Sequence, residues 1–354
     1  MNILSLFDGM SCGRIALERA NICVNKYYAS EIDKHATKVS EANYPDIIRL
    51  GDVTKWRDWN IDWSSIDLVT GGFPCQAWSM AGRQLGDKDE RGMLFWTMLD
   101  VMKKVRQHNS SAHFLIENVK MKKEFEEYIT HHTEQALGEV YKILINSALV
   151  SAQNRNRYYW TSFECFQPED EGILLSHILD SGVVDRDKSW CIDAHYFKGG
   201  NLKSYFEKHR RQIVMYQPCR VSERGRRLNV IGTHRDDKNG EVVRGYECAT
   251  DYKSACLSTV QKDNYIAEDY KIRKLTPIEC ERLQTVPDNY TACVSNTQRY
   301  KMLGNGWTVD VISHLLLCMV NHNNNLPQTI SEKWTCFLNK IKLSKLKKHE
   351  DKYG

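Results

Sequence analysis

No apolar run in the 354-residue chain approaches the length of a membrane span, and its start, Met1-Asn2-Ile3-Leu4-Ser5, lacks the charged-then-apolar pattern of an export signal. Both absences set the expectation of a cytoplasmic protein with no membrane partner. The twelve cysteines are scattered and never spaced Cys-x-x-Cys, so reduced thiols are expected and a zinc site is not. No internal repeat is visible. The net charge of +4 is too small to name a partner by itself. What remains is an ordinary composition, 42% hydrophobic and 27% charged. The chain is long enough for one large domain with a smaller companion.

What is present begins with a rhythm. Short apolar runs alternate with helical patterns over residues 1–162, the mark of an α/β sheet. Residues 3–7 read as a first strand, 9–13 as a glycine-containing turn and 14–20 as a helix. Residues 27–30 read as a second strand ending at Glu31, and Arg49-Leu50-Gly51 leads to Asp52. Residues 66–70 suit a strand, 93–105 a helix, and 114–116 a buried strand ending at Glu117. Asp8, Glu31, Asp52, Cys75 and Glu117 thus fall at strand carboxyl ends, where a doubly wound sheet keeps its ligands.

Gly72-Phe73-Pro74-Cys75-Gln76-Ala77-Trp78-Ser79 is the most telling of these ends. Pro74 fixes its own φ and restricts Phe73, so the loop starts stiffly and Cys75 is aimed. A buried, inert thiol explains a lone cysteine equally well. Phe7-Asp8-Gly9-Met10-Ser11-Cys12-Gly13 resembles a dinucleotide fingerprint, with Glu31 about 20 residues on. The third glycine of Gly-x-Gly-x-x-Gly is absent, which disfavours a nicotinamide cofactor. Glu31 and Asp52, at successive strand ends, suit ribose hydroxyls and an adenine amino group. A Cys75 thiolate beside the Glu117 carboxyl suits addition to an electron-poor ring, the acid protonating or hydrogen-bonding a ring nitrogen as sulfur attacks. Arg155 and Arg157, at i and i+2 of an extended segment, share one side and can hold a phosphate or a carbonyl or lower a thiol pKa. Alone, Arg-x-Arg says little.

From residue 163 to 272 the rhythm breaks. Gly199-Gly200, Gly225, Gly232, Asn239-Gly240 and Gly245 punctuate short β-like runs. Residues 163–193 carry a net charge of −6 and residues 198–227 a net +7. The basic stretch, with Arg224, Arg226 and Arg227, is either a solvated face or a track for phosphates. Order returns at Thr276-Pro277-Ile278-Glu279, a helix start capped by Thr276. Residues 309–320 form a strongly apolar helix candidate, and the tail is lysine-rich.

In one order the chain strings together Leu6-Phe7-Asp8-Gly9, Gly51-Asp52-Val53, Gly72-Phe73-Pro74-Cys75-Gln76, Glu117-Asn118-Val119 and Gln153-x-Arg155-x-Arg157. Arg273-Lys274-Leu275-Thr276-Pro277 with Arg282-Leu283-Gln284, then Leu303-Gly304-Asn305-Gly306, complete the series. Over residues 1–320 it therefore resembles the DNA cytosine-5 methyltransferases, since seven motifs in one order are not accidental. Gly82-Arg83-Gln84 and Arg91-Gly92-Met93-Leu94-Phe95 resemble that family's mobile loop and following helix. The first motif and Asn305-Gly306-Trp307-Thr308-Val309 look more like the animal de novo branch, whose large amino-terminal reader domains have no room here. Pro-Cys-Gln-Ala-Trp-Ser is close to the bacterial and phage form.

The resemblance implies a doubly wound, mostly parallel α/β sheet of the S-adenosylmethionine-dependent methyltransferase type, formed by residues 1–162 and completed by 273–325. It implies a smaller loop-rich, β-containing target recognition domain in 163–272, where Ser258-Thr259-Val260 resembles a small Thr-containing element, and a tail in 326–354. S-adenosylmethionine would be lined by Phe7, Asp8, Gly9, Cys12, Glu31, Ile32, Asp52, Val53, Pro74, Leu94, Asn305 and Trp307. Cys75 would attack C6 of a flipped cytosine, Glu117 would hold N3 and the exocyclic amine, and Arg155 and Arg157 would orient the base, with Asn118 in the same catalytic set. Gln76, Ser79, Arg83, Arg224, Arg226 and Arg227 would contact double-stranded DNA. A monomer is implied, and a cognate restriction endonuclease, where one accompanies it, is not physically bound. An RNA acceptor or a catalytically silent DNA-binding relative are the alternatives; the sizeable 163–272 region argues against the first and the intact Cys75, Glu117, Arg155 and Arg157 against the second.

Overall fold

Alternation of apolar side chains builds the central sheet. β1 (Asn2–Leu6) buries Ile3 on one face and Leu4 and Leu6 on the other, as a two-residue period requires. Strand β4 (Leu68–Gly71) and strand β5 (His113–Val119) repeat the division. Leu68 and Leu115 lie with Ile3, and Val69, Phe114 and Ile116 with Leu4. Strands apolar on both faces need helices on both faces. The computed structural model describes residues 1–74, 92–199, 202–215, 220–227, 242–249, 265–266 and 272–323.

Four more strands, β2 (Lys26–Ser30), β3 (Ile48–Arg49), β6 (Tyr141–Asn146) and β7 (Asn156–Thr161), complete the sheet. Its order is β3-β2-β1-β4-β5-β7-β6. Strands β3 to β5 pair in parallel, and β7 runs antiparallel to both its neighbours. The chain winds outward from β1 to β3, then returns to β4 on the other side of β1. This reversal makes the crevice at the carboxyl ends of β1 and β4 the switch point, the place for a ligand.

On one face α1 (Cys12–Arg19), α2 (Lys34–Asn43) and α8 (Val309–Asn323) contribute Ile15, Val39 and Val311 to the core. On the other, α3 (Met93–His108) and α4 (Lys123–Leu137) contribute Phe95, Met98 and Ile129. Phe95 is wholly buried, a burial that stabilises by roughly 1.5–3 kcal/mol. α1 starts at Cys12, earlier than its pattern suggests, because Ser11 takes left-handed backbone (φ 65°) and turns the chain straight into the helix. Strand β5 runs on to Val119, so Glu117 lies inside it, opposite Tyr159 of β7, and not beyond its end.

After β7 the chain makes 3-10 turns at Leu175–Ile178 and Tyr196–Lys198. Phe163, Leu175, Ile178, Ile192 and Tyr196 join the same core as α1 and α8, so packing is continuous across residue 163. α5 (Leu202–Lys208) precedes β8 (Ile213–Met215), which pairs antiparallel with β12 (Ile272–Lys274). Within that two-stranded stem β9 (Arg220–Arg227), β10 (Val242–Ala249) and β11 (Tyr265–Ile266) form an antiparallel sheet in the order β10-β9-β11. The return begins with α6 (Pro277–Leu283), started by a capping box between Thr276 and Glu279 with Pro277 in its first turn.

α7 (Asn296–Asn305) and α8 follow. By length and composition the stretch Asn296–His322 is apolar enough to cross a membrane, and 61% of its most apolar window is buried inside the protein. It breaks between α7 and α8, and Val311, Ile312, Leu315, Leu316 and Met319 are buried in the core. Its apolarity is that of a core helix.

Candidate active site

The turn after β1 uses left-handed backbone at Phe7 (φ 56°), Gly9 (φ 61°) and Ser11 (φ 65°). Glycine adopts this freely, while Phe7 and Ser11 are held there by the surrounding fold. The Glu31 carboxylate is part of that hold. Its Oε2 accepts from the Gly9 amide at 2.8 Å, and its Oε1 from the amides of Ile32 and Asp33 at 2.8 and 2.7 Å. Asp8 has a different task. The Tyr27 hydroxyl donates to one of its oxygens at 2.7 Å and the Ser11 hydroxyl to the other at 2.5 Å. Burial raises its pKa above the ordinary carboxylate value, although the hydroxyls of Ser11, Ser5 and Tyr27 pull it back.

These strand ends, Leu94 and the α7–α8 junction enclose a cavity of about 530 Å³. Every residue proposed for the cofactor lines it: Phe7, Asp8, Gly9, Cys12, Glu31, Ile32, Asp52, Val53, Pro74, Leu94, Asn305 and Trp307. Ile32 is 74% exposed and, with Phe7, Pro74 and Leu94, supplies an apolar wall, while Glu31 and Asp52 supply acceptors. Asp52 caps the 3-10 turn Val53–Asp58, its Oδ1 accepting from the amide and hydroxyl of Thr54 at 2.9 Å each. The Cys12 thiol is pushed up to about 12 by burial, which keeps it a neutral wall. Sequence reasoning missed Asp33 and Lys301, which both line the cavity and pair at 2.8 Å. Asp33 also caps α2 by accepting from His35 and Ala36. An Asp before a helical pattern was a readable cap, but its distant lysine carried no local signal.

At the opposite end Glu117 is nine-tenths buried with both oxygens occupied. Arg157 Nε lies 2.9 Å from Oε1, and the Trp307 indole N–H donates to Oε2 at 3.1 Å. Asn118 reaches across to the segment after β4, donating to the Phe73 carbonyl at 3.1 Å. It therefore ties the Glu117 strand to the residue just before Pro74.

The two arginines do not share a task. Arg157 lies in β7 and meets Glu117, whereas Arg155 precedes the strand and is 2% exposed. Its guanidinium donates to the carbonyls of Ile192 (3.2 Å), Gly304 (3.1 Å) and Gly306 (2.8 Å), and lies 3.4 Å from Cys191 Sγ. Burial, then the neighbouring Arg157, lower its pKa. Both arginines line the same cavity, but their hydrogen-bond partners differ, because Arg157 lies within β7 and Arg155 before it. Cys191 was also missed. Burial would raise its thiol, but Arg155 and Arg157 outweigh that and bring its pKa below the ordinary value.

Cys75, Gln76, Ser79 and Arg83 lie outside the described residues, as do residues 258–260 and 326–354. Arg224, Arg226 and Arg227 lie along β9, opposite Gly245, Val243 and Val242 of β10. Among the described residues no group of three or more His, Cys, Asp or Glu is placed to hold a metal ion.

The doubly wound sheet, parallel from β3 to β5 with β7 antiparallel, gathers its cavity at the switch point, as ligand-binding α/β folds do. Solved structures agree on the fold: a DNMT2 mutant of Spodoptera frugiperda (TM-score 0.57, 18% identity, 90% of this chain and 99% of that one). The Entamoeba histolytica methyltransferase EhMeth (TM-score 0.57, 16% identity, 91% and 98%) is a second. The chain belongs to the family of C-5 cytosine-specific DNA methylases, whose family model matches residues 1–320. It is 30% identical to the type II methyltransferase M1.ScrFI of Lactococcus lactis subsp. cremoris over 88% of this chain and 75% of that one. It is 29% identical to M.HpaII of Haemophilus parainfluenzae (87% and 86%) and 28% identical to M.HhaI of Haemophilus parahaemolyticus (89% and 93%).

Proposed function

We propose that this C-5 cytosine DNA methyltransferase works through a covalent adduct between Cys75 and C6 of a flipped cytosine, with S-adenosylmethionine in the strand-end cavity. The observation that carries the reading is the Glu117–Arg157 pair in the same cavity as Glu31, Asp52 and Pro74, the residue before Cys75. The cavity fits a nucleoside: an apolar wall at Ile32 beside the Glu31 carboxylate, with the Asp52 carboxylate nearby. Glu31, Asp52 and Ile32 would hold the ribose and adenine. The bound cofactor supplies a methyl group as an electrophile.

The chain's own residues do the rest. The target base must leave the stack, because C6 is inaccessible in a duplex, at a cost of about a few kcal/mol. Glu117, as the protonated acid, gives its proton to N3 and accepts from the exocyclic amine, so that N3 takes up the charge as the Cys75 thiolate adds to C6. Addition leaves nucleophilic character at C5; after methylation, loss of the C5 proton expels Cys75 and restores the ring. Arg157 keeps Glu117 in place, while Arg155 acts through the backbone it holds. Target recognition belongs to the 163–272 region, with Arg224, Arg226 and Arg227 reading base edges or phosphates of double-stranded DNA. The enzyme acts as a cytoplasmic monomer, and a restriction endonuclease, where one accompanies it, is not bound to it.

Incubation with unmethylated duplex DNA and labelled S-adenosylmethionine tests this, with bisulfite sequencing to locate the product. Cys75→Ser is expected to abolish transfer, and 5-fluorocytosine DNA to trap a covalent adduct with the parent enzyme. Full activity of Cys75→Ser would sink the mechanism, and methylation of transfer RNA but not DNA would sink the substrate.

A further inference from the structure

We propose that Trp307 is a positioning residue for Glu117, and not only a wall of the cofactor cavity. The inference rests on the catalytic reading of Glu117 above. The last torsion of a glutamate is broad, so a carboxylate that must meet a base edge needs donors to fix its plane. Arg157 supplies one on Oε1; the Trp307 indole N–H, 190 residues away in sequence, supplies the other on Oε2 at 3.1 Å.

The indole is not free to leave. Arg155 holds the Gly306 carbonyl on one side of it, and on the other the Thr308 hydroxyl donates to Gln284 Oε1 at 2.9 Å and contacts the Ser147 hydroxyl at 2.9 Å. Gln284 and Ser147 are themselves buried. One glycine makes the space: a Cβ on Gly72 would lie 3.1 Å from Nε1 and 3.2 Å from Glu117 Oε2. Gly72 leads directly into Phe73-Pro74-Cys75. One side chain thus touches the cofactor cavity with its ring and the base-binding carboxylate with its N–H.

Trp307→Phe keeps the ring and deletes the N–H. Gly72→Ala leaves both partners intact and sets a methyl group tightly against both, so that one of them must shift. The measurements are kcat and KM for S-adenosylmethionine with unmethylated genomic DNA as acceptor, and S-adenosylhomocysteine affinity by calorimetry without DNA. Both variants are expected to lose roughly tenfold in kcat, the worth of one hydrogen bond to a charged group. S-adenosylhomocysteine affinity stays within about threefold of the parent enzyme. In a Glu117→Gln background, Trp307→Phe is expected to cost nothing more in single-turnover rate, because its effect passes through the carboxylate.

Weakened S-adenosylhomocysteine binding with kcat preserved would overturn the proposal, leaving Trp307 as a wall; so would fully additive losses in the double variant. A Glu117→Gln enzyme as active as the parent would instead overturn the catalytic reading. Should Trp307→Phe fail to fold, as read by circular dichroism, Gly72→Ala carries the same test.

Discussion

The two ends of the cavity are held in opposite ways. At the Glu31 end, carboxylates are fixed by neighbours: Glu31 by the amides of Ile32, Asp33 and Gly9, Asp52 by Thr54, and Asp33 by His35 and Ala36. At the Glu117 end the partners are remote. Trp307 is 190 residues from Glu117, and the carbonyls that Arg155 holds at Gly304 and Gly306 are 149 and 151 residues from it. The carboxylates of the first end are held chiefly by turn geometry, with one remote tie, Lys301 of α7 on Asp33 at 2.8 Å. The second exists only once the return segment has docked. Binding and reaction should therefore respond differently to damage in the return segment.

The sharpest separation comes from Glu117→Gln. Single-turnover methylation is expected to fall by roughly 10²–10⁴-fold, with S-adenosylhomocysteine affinity unchanged in calorimetry. A parallel loss of affinity would show that the two ends are not distinct. Arg155→Met comes next. It strips donors from two buried carbonyls, Ile192 and Gly304, and a part-buried one, Gly306. Each buried one costs on the order of 1–3 kcal/mol when unsatisfied, so urea unfolding should register a loss of about 3 kcal/mol. Arg155→Lys should recover little, because an ammonium cannot reach several fixed carbonyls as a planar guanidinium does. An Arg155→Met protein as stable as its parent would remove the idea that the Glu117 end depends on docking.

Glu31→Gln probes the local end. One oxygen that accepted two amides becomes a neutral carbonyl or an N–H donor, so S-adenosylhomocysteine affinity should weaken by about tenfold while saturated kcat holds. A drop in kcat alone would reverse the comparison. The smallest effect is the acid response of Asp33. Burial would raise its carboxyl, but Lys301 and the amides of His35 and Ala36 outweigh that and hold it below the ordinary value. The folded pKa is thus the lower one. Its contribution is present above the unfolded carboxylate pKa of about 3.9 and is lost as pH falls through the folded value. The melting-temperature gap between parent and Lys301→Ala should accordingly be present near neutrality and close below about pH 4. A gap that persists unchanged into acid would remove Lys301 as the cause.

Much of this was legible beforehand where the signal is local. Apolar period, glycine turns and strand-end acids located β1, β2, β4 and β5 with Glu31 and Asp52, because each depends on a few consecutive dihedrals. Ile32, Leu94, Asn305 and Trp307 came from the family resemblance. Asp8 shows the limit: it stands in the motif beside Gly9, yet its oxygens serve Tyr27 and Ser11. Arg155 and Arg157 both line the cavity, but spacing does not tell their partners apart: one guanidinium meets Glu117 and the other the Gly306 carbonyl. The change of composition at residue 163 was equally visible, but Phe163, Leu175 and Ile192 belong to the same core as α1 and α8.

The sequence alone determined the α/β rhythm, the carboxylates at strand ends and the ordered motifs of a cytosine-C5 DNA methylase, since these are written in short stretches of chain. Only the tertiary structure decided which arginine meets Glu117, that Trp307 holds its other oxygen and that Asn118 fastens β5 to the loop before Cys75. Local periodicity sets which way a side chain leaves its own strand or helix. What it meets there depends on the register of paired strands and the docking of helices from the far end of the chain.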